Sequence, residues 1–128
     1  MKFTFSAIAS LLAVAVSAAP LEARQIPTVA VTLSNDQSGA SAPVSFPADN
    51  AVRSIPALYG STSVGAGGVV KASSAFLNIA PTNINCVIVN NGATIATLTN
   101  NKSFADLDGN AGQATPVDLS GATIQCHV

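Results

Sequence analysis

The sequence has very little charge. Only 9% of its 128 residues are charged, with five Lys or Arg against six Asp or Glu, whereas an average soluble protein has about 25%. Five basic side chains are too few to neutralise a run of phosphates, which excludes a basic nucleic-acid-binding protein. The hydrophobic content of 48% is too high for a disordered tail.

Other residue types that mark particular protein classes are also scarce. Trp is absent, aromatic residues make up 5% of the chain, and the single histidine is His127. The two cysteines, Cys86 and Cys126, allow one disulfide at most, so the chain is not a disulfide-dense miniprotein. The length fits one domain of the common size of roughly 100–150 residues.

The N-terminus has the pattern of a secretory signal peptide. Lys2 precedes a ten-residue apolar run, Ala7–Val16, and small residues then lead to a predicted cleavage after Ala18. A membrane-spanning helix needs about 20 apolar residues, roughly twice this run. We therefore predict that residues 1–18 are removed and that the protein is secreted, with no membrane segment in its mature form.

Residues 19–24 are a candidate propeptide. Leu21–Arg24 resembles the end of the short propeptides of secreted fungal proteins, which a kexin-like protease cuts after a basic residue. Ala23 stands where a second basic residue is usual, so a cut after Arg24 and an uncut N-terminus both stay open. Residues 25–128 are then predicted to form a single secreted β-domain.

This mature segment is nearly neutral and rich in amides and hydroxyls. It contains three basic and five acidic side chains, while Asn, Ser, Thr and Gln make up about a third of it. Such a surface suits extracellular contact with neutral polymers. We expect a monomer, with neither nucleic acid nor membrane as a partner of the mature form.

Apolar and polar residues alternate with a period of two, which predicts β-strands. The alternation is clearest over Thr28–Ser34, and turn residues separate successive strands along the chain. This spacing favours an all-β fold, a small antiparallel sandwich or barrel. Further strands are predicted at 43–47 as an edge strand between prolines, at 69–79 with a bulge near Ser73 and Ser74, and at 103–107, 117–119 and 122–128.

Two segments carry more specific local signals. Residues 49–60 are predicted to form one or two short helical turns, with Asp49 or Asn50 as the first cap and Gly60 as the end. Asn91-Gly92 predicts a hairpin with a type I′ turn over residues 84–98. A two-residue loop would place Ile88 opposite Ile95.

Two kinds of modification are predicted from side-chain chemistry. Cys86 and Cys126 both fall on apolar faces of predicted strands, so we expect them to form a buried disulfide in the oxidising secretory pathway. Asn101-Lys102-Ser103 is an N-glycosylation sequon in a predicted turn. We therefore expect a glycan on Asn101.

The remaining chemical candidates have ordinary structural explanations. His127 lies one residue from the C-terminus, where a catalytic base would be poorly held, and we expect it to be exposed. The run 106–110 (DLDGN) lacks the Gly and Glu positions of a calcium loop and is better explained as a turn. Tyr59 and Phe46 are candidates for glycan contact, with core packing as the commoner fate. We predict no catalytic residue, no metal and no cofactor.

The layout of the whole chain resembles that of a known group of proteins. The short leader, the Leu21–Arg24 segment and the cysteine-poor strands rich in Asn, Ser and Thr are similar to small secreted proteins of filamentous ascomycetes. Many of these are effectors or elicitors that act on plants. The eight-cysteine pattern of hydrophobins and CFEM domains is absent.

That resemblance implies a function outside the fungal cell. We expect a secreted, non-enzymatic effector or elicitor recognised by a plant host, with a host protein or a cell-wall glycan as its partner. The alternative is a structural protein of the cell wall or cell surface. A small hydrolase or a carrier of an apolar ligand is a third possibility.

Overall fold

The predicted alternation produces ten short strands, which a computed structural model describes over residues 26–109, 113 and 115–128. The predicted signal peptide and candidate propeptide lie outside these residues. One short helix, α1 (Ile55–Tyr59), and one 3-10 turn, Ser63–Gly65, accompany the strands. The strands are β1 (Thr28–Asn35), β2 (Ala40–Pro47), β3 (Asp49–Ser54), β4 (Lys71–Ala72), β5 (Ser74–Ile79), β6 (Asn85–Asn90), β7 (Ala93–Thr99), β8 (Phe104–Asp106), β9 (Val117–Asp118) and β10 (Ala122–His127).

The strands form two antiparallel four-stranded sheets that pack as an open sandwich. One sheet has the order β2-β1-β5-β8 and the other the order β3-β10-β6-β7. A small pair, β4 with β9, lies beside them. The all-β prediction is confirmed, and of the two expected architectures the structure is the sandwich and not the barrel.

The core lies between the inward faces of the two sheets. Val29, Val31 and Leu33 of β1 are fully buried, and Ile88 and Ile124 fill the opposite face. Val29, Val31 and Leu33 therefore follow the predicted alternation, whereas Ala30, expected on the polar face, is also buried at 3% exposure beside the register shift between β1 and β5. The last strand, predicted over residues 122–128, ends one residue earlier at His127, and Val128 is 53% exposed.

Helix α1 occupies the second half of the predicted helical stretch. The Ser54 hydroxyl caps it by accepting a 3.3 Å hydrogen bond from the Ala57 amide, and Pro56 lies in its first turn. The helix ends at Tyr59, and the predicted stop residue Gly60 is its C-cap. Its buried side chains, Ile55 and Tyr59, enter the core.

The first half of that stretch is a strand, so the expected cap at Asp49 or Asn50 is wrong. Residues 49–54 form edge strand β3 and pair with β10, an example of tertiary pairing that outweighs weak local propensity. Asn50 has φ of 68°. Its backbone carbonyl and its side-chain oxygen both accept hydrogen bonds from the side-chain amide of Gln125. Arg53 forms an ion pair with Asp49, at 2.8 Å, which lowers the pKa of that carboxyl to about 2.

The β6–β7 hairpin has the predicted turn but a different register. Asn91 and Gly92 have φ of 52° and 87°, as a type I′ turn requires. Beyond the second pair the register shifts, so Ile88 lies opposite Ala96 and not opposite Ile95. This bulge puts Ala96 inside, whereas the regular ladder would have turned it outwards.

The predicted irregularity near Ser73 is a complete strand break. Ser73 separates β4 from β5 and is fully buried. Its hydroxyl donates a 2.7 Å hydrogen bond to the Asp36 carboxylate, and its carbonyl accepts a 2.9 Å hydrogen bond from the Leu107 amide. The break therefore holds the β1–β2 turn and the end of β8 together.

Candidate interaction surface

Cys86 and Cys126 form the predicted disulfide. They are direct partners on the neighbouring strands β6 and β10, and the sulfur atoms are 2.06 Å apart. Both residues are fully buried. Because the chain has only these two cysteines, both are in the buried disulfide and neither is available as a thiol at the surface.

Two exposed phenylalanines form an aromatic pair on the outside of the sheet. Phe76 of β5 and Phe104 of β8 are direct cross-strand partners, so their side chains point to the same face. They are 43% and 55% exposed. Because neighbouring strands are about 4.8 Å apart, the two side chains leave the sheet from adjacent positions.

Polar side chains continue the same row across the sheet. Thr32 of β1 is the partner of Phe76 on its other side, and Pro43 of β2 is the partner of Thr32. The Thr32 hydroxyl donates a hydrogen bond to the side-chain oxygen of Asn78, two residues after Phe76. We call this set, Phe76, Phe104, Thr32, Pro43 and Asn78, the aromatic platform.

The strands beneath the aromatic platform are almost uncharged. Their one ionisable side chain is Asp106 of β8. It ends a row of hydroxyls, because Ser41, Ser34 and Ser74 are successive cross-strand partners that lead to it. The face therefore combines exposed rings, amides and hydroxyls with a single negative charge at one end.

Asp106 also lies near other carboxyl groups. Partial burial and the neighbouring carboxyls of Asp108 and Asp36 raise its pKa above the usual 3.8. Asp108 accepts a hydrogen bond from the Thr115 amide, as expected for a turn. Within the residues that the structure describes, no group of three or more His, Cys, Asp or Glu is arranged to hold a metal ion, and Asn110 of the predicted turn lies outside them.

An open depression lies beside the β1–β2 turn. It has a volume of about 400 Å³ and is bordered by Asn35, Ser38, Ser63 and Lys71 among others. Lys71 is the partner of Asp118 across β4 and β9, and its charge helps to lower the pKa of Asp118. The border is mixed, because Val64 and Val69 line it together with these polar residues.

The other residues singled out in the sequence are spread over the molecule. Asn101 is exposed in the tight turn between β7 and β8, where the backbone of Thr99 and Lys102 is doubly hydrogen-bonded. His127 is exposed on β10. Tyr59 and Phe46 are buried, at 0% and 5% exposure, so core packing is the correct explanation for both.

Sequence reasoning missed the aromatic platform, although the signal was present. Phe76 stands between Ala75 and Leu77 and in phase with Ser74 and Asn78, so the local alternation puts it on the polar side. The strand break at Ser73 inverts the phase of the longer pattern over 69–79. An unbroken strand would put Phe76 on the same face as the buried Val70 and Ala72.

Fold and surface together define a small disulfide-linked β-sandwich with a neutral, partly aromatic outer face. Comparisons with protein-family models, curated proteins and solved structures found no match to this chain. No helix in residues 26–109 or 115–128 is long and apolar enough to cross a membrane. Function therefore has to be argued from the chain itself.

Proposed function

We propose that this protein is secreted by a fungus and acts outside the cell by binding, as an effector or elicitor recognised by a plant host. The Cys86–Cys126 bridge carries the proposal, because a structural disulfide forms in the oxidising secretory pathway and is rare in the cytosol. The apolar run Ala7–Val16 supplies the matching export signal.

The character of the outer surface supports binding as the mode of action. Exposed aromatic side chains with hydroxyls and amides around them are typical of recognition surfaces. Phe76 and Phe104 provide the rings, and Thr32 and Asn78 provide the polar groups beside them. Catalysis is not needed for a protein of this kind.

Gene deletion with two forms of complementation tests the proposal. Deletion is expected to alter infection of the host and to leave growth in pure culture unchanged. The full-length gene should restore infection, whereas a matched variant that lacks residues 2–18 should stay inside the cell and fail to restore it. Restoration by the leaderless variant would contradict secretion.

Infiltration of the purified protein into leaves tests recognition by the host. The folded, oxidised protein is expected to produce a defence response, and the reduced and alkylated protein is the control. If the leaves do not respond and deletion leaves infection intact, the effector proposal is wrong. Fractionation with the fungal wall, together with expression in pure culture, would favour the structural alternative.

A further inference from the structure

We propose that the aromatic platform binds cellulose, the neutral β-1,4-linked glucan of the plant cell wall. The inference rests on the proposed function, which brings the protein to a plant host, and adds the polymer and the surface. Pyranose rings present flat C–H faces that stack on exposed aromatic rings. Phe76 and Phe104 offer two such rings on one sheet face.

The side chains of the aromatic platform form a row that an extended chain of sugars can follow. Phe76 and Phe104 are cross-strand partners on adjacent strands, whose backbones are about 4.8 Å apart. Thr32 and Pro43 continue the row, so it crosses all four strands of the sheet. An extended chain laid along this row passes over both rings and then over a hydroxyl.

The charge on this face selects among polysaccharides. Asp106 is the only ionisable side chain in β1, β2, β5 and β8, and it is negative. It would repel an anionic polymer such as polygalacturonate and has little effect on a neutral glucan. Hydroxyls at Ser41 and Ser34 and the Asn78 amide suit the hydroxyl-rich edges of cellulose.

A protein partner fits the same surface less well. Residues that dominate protein–protein binding are most often Trp, Tyr and Arg. The four strands of this sheet contain none of these three residue types. This face therefore lacks the side chains that most often anchor a protein partner.

Depletion binding to microcrystalline cellulose tests the proposal with purified protein. The wild type is expected to be retained, and high salt should change retention little because the contact is uncharged. Phe76→Ala and Phe104→Ala should each weaken binding about tenfold, since each removes a large apolar contact. Phe104→Tyr keeps an aromatic ring at the same position and should bind cellulose. Its binding would show that the loss in Phe104→Ala comes from the missing ring and not from a change in folding.

Val52→Ala is the matched control. Val52 is 62% exposed and lies on β3 in the other sheet, so its truncation removes apolar surface away from the aromatic platform. This variant should bind cellulose as the wild type does. Melting temperatures of all variants are measured alongside, and equal binding losses in Val52→Ala and Phe104→Ala would overturn the proposal.

Several other results would also overturn it. The proposal is wrong if the wild type is not retained on cellulose, or if retention survives the loss of both rings. It is also wrong if chitin or polygalacturonate retains the protein more strongly. A further contrary result would be a dimer in solution that the Phe variants dissociate. The last result would make the aromatic platform a self-association surface. Failure on cellulose with an intact leaf response removes only this proposal, whereas cellulose binding without any effect on infection removes only the effector proposal.

Discussion

The phenol hydroxyl of Tyr59 donates a 2.6 Å hydrogen bond to the carbonyl oxygen of Val31. This contact joins helix α1 to strand β1 across the core, and both residues are fully buried. Val31 lies where the register between β1 and β5 shifts, so its carbonyl is at an irregular point of the ladder. A buried carbonyl at such a point needs a partner from outside the ladder.

Tyr59→Phe should therefore destabilise the protein while it keeps the ring. We expect a loss of about 1–3 kcal/mol in the free energy of unfolding, the cost of an unpaired buried carbonyl. Urea unfolding followed by far-UV circular dichroism measures it. A variant as stable as the wild type would show that the hydrogen bond contributes nothing.

The same tyrosine predicts the response to alkaline pH. Burial raises the pKa of Tyr59 above its usual value of 10.0. Because the folded state holds the proton more tightly than the unfolded state, stability should fall as the pH rises above about 10. Tyr59 is the only tyrosine, so tyrosinate absorbance should appear together with unfolding, and a simple titration near pH 10 in the folded protein would contradict this.

Reduction of the Cys86–Cys126 bridge should lower the melting temperature markedly. The two cysteines are 40 residues apart, and a loop of that length corresponds to about 4 kcal/mol in the chain-entropy model. The double variant Cys86→Ala with Cys126→Ala should melt at a similarly reduced temperature, with or without a reductant. An unchanged melting temperature on reduction would contradict a structural role for the bridge.

The sequence was sufficient for features with local causes. The Asn91-Gly92 turn follows from the positive φ that both residues tolerate. The cysteine pairing follows from there being only two cysteines, both on apolar faces of predicted strands. The alternation in β1 follows from burial on one side of a strand, which repeats every two residues.

Features decided by distant partners were missed. Residues 49–54 became a strand because β10 was available to pair with them, and nothing nearby in the sequence encodes that partner. The register shift that places Ala96 and not Ile95 opposite Ile88 is likewise not encoded by the Asn91-Gly92 turn. The aromatic platform was missed because Phe76 and Phe104 are 28 positions apart and meet only through the pairing of β5 with β8.

Asp106→Asn should stabilise the protein near neutral pH. The pKa of Asp106 is raised by partial burial and by the carboxyls of Asp108 and Asp36. Its charged form is therefore disfavoured in the folded state, and stability should fall as the pH rises through its folded pKa. The gain from the variant should be present at pH 7 and disappear below the usual pKa of 3.8.

Asp118→Asn is the opposite control for that experiment. Hydrogen bonds from the Ser120 hydroxyl and amide lower the pKa of Asp118, so its charge favours the folded state. This variant should lose stability at neutral pH, and the difference from the wild type should vanish as the pH falls. Thermal melts from pH 3 to pH 7 measure the melting temperatures of both variants. If both variants shift the melting temperature in the same direction at pH 7, the opposite pKa shifts of Asp106 and Asp118 are refuted.

Glycosylation of Asn101 can be separated from the structural role of its neighbour. In the same turn, the Asn100 side chain accepts a 3.0 Å hydrogen bond from the Ile84 amide. It also donates a 3.0 Å hydrogen bond to the Pro81 carbonyl. Asn101, in contrast, is exposed. Secretion from a eukaryotic host should give a protein whose excess mass an endoglycosidase removes. Asn101→Gln should abolish that excess and preserve the melting temperature, whereas Asn100→Ala should keep the glycan and lower the melting temperature. An unmodified wild-type protein would show that the sequon is not used.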